Sequence, residues 1–241
     1  MKFKLIPAGS FILGEYQPTV SMVGYFSEEA EPKDNPIFEN AKVLAQKAYL
    51  NGREIRMSKS YYIGVFEVTQ QEWKSIMGGN PSTFNEANLH RPTDKFPVEN
   101  ISLKQIEKFI RVLNKNSKYK YRLPTEMEWE YASRAGNSND ISWPEIWKTA
   151  VIGKQIPHEI GSKAPNAWGL YDMLGNIWEL TSDTYNEKLF ADDNPTYNGR
   201  ERVIKGSCFY GDVKNATYMT HAGASGSRND VGIRLVLEFK K

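Results

Sequence analysis

Gly169-Leu-Tyr-Asp-Met-Leu-Gly-Asn-Ile-Trp-Glu-Leu180 places two carboxylates, Asp172 and Glu179, on either side of a glycine turn with aromatic neighbours. Glycine at 175 lets the backbone fold back on itself, turning the carbonyls of Leu174, Gly175 and Ile177 toward the space the acids share. All five residues then offer hard oxygen donors, a set that suits calcium and suits zinc, copper or ferrous iron poorly. The same residues also read as a plain turn whose acids cap a helix or pair with arginine. Spacing alone leaves both readings open.

Upstream of this stretch the sequence alternates strand and helix signals. Lys4 to Gly14 alternates loosely between apolar and polar residues and predicts an opening strand. The acidic run Glu28–Asp34 reads as a solvated loop, and Asn51-Gly52 as a hairpin turn, because both residues tolerate positive φ. Three capping boxes announce helices: Thr69 with Glu72, Ser102 with Gln105, and Thr125 with Glu128. In each, a hydroxyl and a side chain three positions on satisfy each other's orphan backbone donors. Ile106, Phe109, Ile110 and Leu113 fall on one face of the second helix. Gly78-Gly79 stops the first helix and Gly136 the third.

Beyond residue 136 the helical signals fade. Ile177–Thr181, Arg202–Phe209 and Val231–Phe239 predict short strands separated by long loops. Helices early and strands late, without repeats, argue an α+β fold, loop-rich with few regular elements, rather than a parallel βαβ array.

Composition narrows the function classes. With 40% hydrophobic and 12% aromatic residues in 241 positions, the chain can bury a full core. Basic and acidic residues nearly cancel, 31 against 29, so no broad field is dedicated to nucleic acid or to a membrane surface. One cysteine, Cys208, excludes a disulfide framework and a thiolate metal cluster. No apolar run reaches the length of a transmembrane segment. Met1-Lys-Phe-Lys-Leu-Ile-Pro lacks the features of a signal peptide, so export would require a targeting segment or lipid anchor absent from this chain.

Five ordered motifs carry a resemblance. They are Tyr61-Tyr-Ile-Gly-Val-Phe-Glu-Val-Thr-Gln-Gln-Glu-Trp73, Phe96-Pro-Val-Glu-Asn-Ile-Ser102, Tyr121-Arg-Leu-Pro-Thr-Glu-Met-Glu-Trp-Glu-Tyr-Ala132, Pro165-Asn-Ala-Trp-Gly-Leu-Tyr-Asp172 and Gly175-Asn-Ile-Trp-Glu179. Together they resemble the formylglycine-generating enzyme (sulfatase-modifying factor) family over roughly residues 3–237. The resemblance implies a C-type-lectin-like fold of the formylglycine-generating-enzyme type and a single domain over 1–241. It also implies a structural calcium ion at Asp172, Leu174, Gly175, Ile177 and Glu179. The family's second calcium site is not expected, because the corresponding stretch is short and lacks the acids.

The departures from that family bear on activity. Its enzymes follow a strand of the form Arg-Val-x-Arg-Gly-Gly-Ser-Trp with two catalytic cysteines five positions apart. Here the strand reads Arg202-Val-Ile-Lys-Gly-Ser-Cys-Phe209, and the cysteine positions fall on Gly211 and Ala216. Neither residue can bind copper or form a thiolate. His90, His158 and His221 lie far apart without ligand spacing, so no iron or copper centre is expected. A Cys208 nucleophile with His221 as base would need an electropositive, partly exposed setting. Only Lys205 offers nearby charge, and a lone cysteine is more often an inert small hydrophobe.

Residues 206–233 differ in composition from the rest. Met, Trp, Gln, Lys and Glu make up about a quarter of the chain, yet in this window only Lys214 and Met219 belong to that set. Codons randomised at their first two positions and ending in C cannot encode those five residues. Adenine-specific mutagenesis of AAC triplets produces such codons, and the window resembles the variable region of retroelement-diversified proteins. An ordinary loop rich in glycine, serine and alanine is the plain alternative. The aromatics supply stiff contact area, and Ser, Thr, Asn and Gly supply adaptable hydrogen bonds, the chemistry of an antibody paratope. The expected recognition surface comprises Cys208, Phe209, Tyr210, Asp212, Tyr218, Thr220, His221, Gly223, Ser225, Ser227, Asn229 and Asp230. The sequence thus predicts a non-enzymatic binding protein for a protein or glycan ligand, placed at a bacterial cell surface. The alternative is a degenerate or repurposed oxidoreductase, or an accessory subunit.

Overall fold

The computed structural model describes residues 1–13, 53–115, 117–138, 141, 143–185, 201–211 and 216–240. Within them, β1 (Phe3–Ile6), β4 (Tyr61–Gly64), β10 (Val236–Phe239) and β5 (Tyr119–Arg122) form an antiparallel sheet in the order β1-β4-β10-β5. β2 (Gly9–Leu13) and β3 (Arg53–Met57) make a separate antiparallel pair. A third sheet runs β8 (His221–Ala224), β7 (Arg202–Lys205), β6 (Trp178–Thr184) and β9 (Val231–Gly232), with β6 and β9 parallel. Strands near both ends of the chain thus meet in the first sheet.

Five helices complete the described elements: α1 (Gln70–Met77), α2 (Glu86–Leu89), α3 (Leu103–Lys115), α4 (Glu126–Arg134) and α5 (Trp143–Thr149). The capping boxes of Thr69 and Thr125 form as expected, each hydroxyl accepting from the backbone N–H three residues on. Ser102 and Gln105 exchange the same pair of bonds ahead of α3. α1 closes on Gly78 at φ 80°, and α4 turns left-handed at Ala135 and Gly136. α3 buries Ile106 and Phe109, and Phe109 stacks on Trp73 of α1 with ring centroids 4.7 Å apart.

Several strand expectations need correction. The opening strand is two, broken at Pro7-Ala8, since proline cannot donate to a ladder. The expected strand at 231–239 is also two. Ile233-Arg-Leu235 carries the chain from the third sheet into the first, burying Ile233 and Leu235 as it crosses. The strand from Arg202 ends at Lys205, because Gly206 and Ser207 adopt φ of 93° and 69°. α2 and α5 were not expected from the sequence; α2 opens on Asn85, which caps Asn88 N without a returning side chain. The acidic run at 28–34 and the Asn51-Gly52 turn lie outside the described residues. Among the described residues three apolar clusters fill the interior, one around Ile63, Trp129, Met173 and Val236, a second around Trp73, Phe109, Ile204 and Ile233, and a smaller one of Val151, Ile177, Cys208 and Phe209.

Candidate functional site

The loop before β6 is built by three left-handed residues, Asp172, Gly175 and Asn176, at φ of 53°, 75° and 58°. Gly175 is required twice over, because a Cβ there would collide with the Val151 backbone as well as being strained. The turn is pinned from several sides. Gly175 N donates to Gly206 O at 2.7 Å, Asn176 N to Val151 O at 2.8 Å, and Phe209 N to Asn176 O at 2.7 Å. Asn176 also accepts from His158 N through Oδ1 and donates to Glu67 Oε2 at 3.0 Å.

Around this loop three wholly buried carboxylates, Glu67, Asp172 and Glu179, meet one buried guanidinium, Arg234. Glu179 accepts from Arg234 at 2.6–3.0 Å and from Trp129 Nε1 at 2.6 Å. Arg234 also donates to Gly64 O and Tyr171 O. Asp172 Oδ2 accepts from Gly161 N at 2.6 Å, while Asp172 Oδ1 and Glu67 Oε1 have no hydrogen-bond partner. Burial pushes the Asp172 carboxyl up to about 6. Burial, reinforced by the charges of Asp172 and Glu179, also pushes Glu67 well above its ordinary value.

Unpartnered buried oxygens are costly, and three acids against one guanidinium leave an excess of two negative charges if all ionise. Among the described residues no three acids, histidines or cysteines gather closely enough to hold a metal ion as they stand, so the cluster is a charge excess that a hard dication or protons would balance. The cluster differs from the sequence expectation in two respects. Glu67, to which the sequence analysis gave no role, supplies an open oxygen, and Glu179 already spends its carboxylate on Arg234 and Trp129. Leu174, Gly175 and Ile177 are buried in the same loop.

The expected recognition surface divides by exposure. Tyr210, Ser225, Ser227 and Asn229 are exposed, the last three in an exposed run from 225 to 229. Thr220, His221 and Gly223 are half-buried, with Tyr185 packed over Gly223. Cys208, Phe209, Tyr218 and Asp230 are buried, which corrects their assignment to an outward face. Each has an inward role: Cys208 packs in a cluster with Val151 and Ile177, Phe209 meets Phe84 edge-on, Tyr218 lies under the Arg134 guanidinium, and Asp230 anchors Tyr210 Oη and Arg228. Asp212 lies outside the described residues.

No activated thiol is built here. Burial, with the Asp230 charge, pushes the Cys208 thiol up to about 11. Lys205 does not face it as a free cation; its ammonium is fully buried between Glu126 and Glu130 at 3.4 and 3.1 Å. His221 Nδ1 bonds Glu126 Oε1 at 2.7 Å. Of the two positions where the resemblance leads one to expect catalytic cysteines, Ala216 is fully buried. Gly211 packs so closely that a Cβ would collide with Ser207 Oγ. Nearby, Glu99 is fully buried, accepts from Phe84 N at 2.8 Å through Oε1, and leaves Oε2 without a partner. Burial pushes its carboxyl up to about 7.

Sheets of few short strands, long pinned loops and a buried acid cluster before β6 define an α+β, C-type-lectin-like fold of the formylglycine-generating-enzyme type. The chain belongs to the sulfatase-modifying factor enzyme 1-like domain family, whose model matches residues 3–239. It is 24% identical to the chaperone protein LppX of Paenibacillus barcinonensis, over 84% of this chain and 89% of that one. It is 25% identical to the formylglycine-generating enzyme of Mus musculus over 81% of this chain, spanning about half (54%) of the mouse protein. Among solved structures, Treponema denticola variable protein 1 superposes with a TM-score of 0.71 at 24% identity, covering 97% of this chain and 94% of its own. No described helix is long and apolar enough to cross a membrane.

Proposed function

We propose that this protein is a non-enzymatic binding protein that presents a recognition face on a calcium-braced scaffold. One observation carries the reading. The segment aligned with the family's catalytic strand offers no sulfur at residues 211 and 216, yet sends Tyr210 and residues 225–229 to the surface over a buried floor. Arg228 and Asp230 form a bidentate pair beside Tyr210, so the face is close to neutral and suits a protein or glycan partner better than nucleic acid. The variable protein among the structural neighbours supports the retroelement-diversified form of this reading, and display at a bacterial cell surface follows from it.

The calcium ion would be held by Glu67 and Asp172, the carbonyls of Leu174, Gly175 and Ile177, and Glu179 sharing its carboxylate with Arg234. Its contribution is structural, with no part in ligand contact.

Comparison of sibling alleles tests the proposal. Substitutions concentrated at Tyr210, Thr220, Ser225, Ser227 and Asn229, with Phe209, Tyr218 and Ile233 fixed, support it; variation scattered over the chain overturns it. An assay of copper-loaded protein on a cysteine-containing peptide supplies a second test, since turnover would identify an enzyme. The near full-length similarity to a chaperone favours an accessory subunit as the second reading, which predicts an invariant face.

A further inference from the structure

A cavity of about 430 Å³ opens between the end of α4, helix α5 and the loop leading to Asp172. Ser133 in its wall has no exposed surface, and its hydroxyl has no hydrogen-bond partner. A serine inside a helix ordinarily returns its hydroxyl to the carbonyl one turn back; Ser133 does not. An unsatisfied buried hydroxyl beside a cavity of this size is a signal for a ligand.

The remaining wall defines what that ligand is. Asn137, Ser138 and Thr149 supply uncharged polar groups, while Leu170, Met173 and the Tyr218 side chain supply apolar surface. Among the described residues no lysine, arginine or histidine lines the cavity, which disfavours an anion. The two acids among its described lining residues have other commitments. Glu145 pairs with Lys148 at 2.5 Å on the exposed face of α5, and Asp172 belongs to the cation site proposed above, a reading on which this assignment rests. We propose that the cavity binds a small, neutral, hydroxyl-bearing molecule of one or two sugar rings, with one face against Leu170 and Tyr218 and a hydroxyl bonded to Ser133. Tyr218 lies within the 206–233 window, so the window contributes to an interior pocket as well as to the outer face.

Saturation-transfer NMR on the calcium-saturated full chain tests this with glucose, myo-inositol and maltose as neutral probes. Glucosamine and inorganic phosphate serve as charged counterparts. At least one neutral probe should bind with Kd in the millimolar range or tighter, near or beyond 4 kcal/mol of binding free energy. Ala167→Trp, at an exposed wall position, should abolish the signal. Ser133→Ala removes an unpaired hydroxyl and should keep its Tm while weakening the probe about five- to tenfold, the effect of one lost hydrogen bond. No saturable binding below about 50 mM by any neutral probe would overturn the proposal. Binding unchanged by Ala167→Trp, or stronger binding of glucosamine or phosphate, would overturn it equally. A Tm unaltered by chelation counts against the cation reading alone and leaves the cavity result to stand by itself.

Discussion

Glu99 is buried with one oxygen bonded to Phe84 N and the other unpaired. Its carboxyl, pushed up to about 7 by burial, holds a proton in the folded state at pH values where the unfolded chain has released it. The folded form therefore binds more protons between about pH 4.5 and 7, and stability from this group falls as pH rises through that window. Glu99→Gln removes the titration. Urea titrations at pH 5 and pH 8 should show the variant gaining about 1–3 kcal/mol relative to wild type on going to the higher pH. An identical difference at both pH values would show that Glu99 does not titrate in this way. Gly211 poses a steric question at the same scale. Gly211→Cys must displace Ser207, so the variant should lose about 1–3 kcal/mol, and adding Ala216→Cys should not restore tight copper binding. A stable double variant with a tight copper site would contradict the account of this segment.

β7 and α4 meet across a buried ionic network, and this is where local sequence is least informative. Lys205 lies in a strand that reads as ordinary, and the two acids it meets, Glu126 and Glu130, belong to a helix recognised only by its cap. Burial raises the Glu126 carboxyl, but Lys205 and His221 outweigh that and hold it below the usual range. Lys205→Met takes the shared cation from two buried acids, leaving Glu130 with Arg134 and Glu126 with His221, and should cost about 3–5 kcal/mol in chemical denaturation. Lys205→Met combined with Glu126→Gln, which leaves Glu130 its Arg134 partner, should recover part of the loss; failure to recover would assign the cost to packing. Elements with complete local signals were legible: the capping boxes at Thr69, Ser102 and Thr125 mark their helices. Groups whose partners lie far away in the chain were not. Glu67 pairs with Asn176 and Glu99 with Phe84, contacts created by the fold and without a periodic trace. The same gap explains Phe209 and Tyr218, whose paratope-like composition gives no indication that they point inward.

The acid cluster ties the molecule together as a whole. Glu67 follows β4 of the first sheet, Glu179 lies in β6 of the third, and Arg234 sits on the segment that crosses between those sheets. Whatever balances their charge sets how firmly the two sheets are joined. Arg234 neutralises one acid, and a calcium ion would neutralise the other two. A ligand present at a hundred times its Kd adds about 2.7 kcal/mol to the folded state, and in a chain of this size each kilocalorie moves Tm by roughly 2–4 °C. Chelation should therefore lower the melting temperature by about 5–10 °C, and added calcium should restore it. Glu67→Gln separates charge balance from general damage. It should lose most of the calcium-dependent increment, yet in EDTA be at least as stable as the wild type, because it removes one charge from an uncompensated cluster. Equal melting temperatures with and without calcium for the wild type would leave protons, not an ion, as what balances Glu67 and Asp172. The recognition face would then stand on a scaffold locked by Arg234 alone.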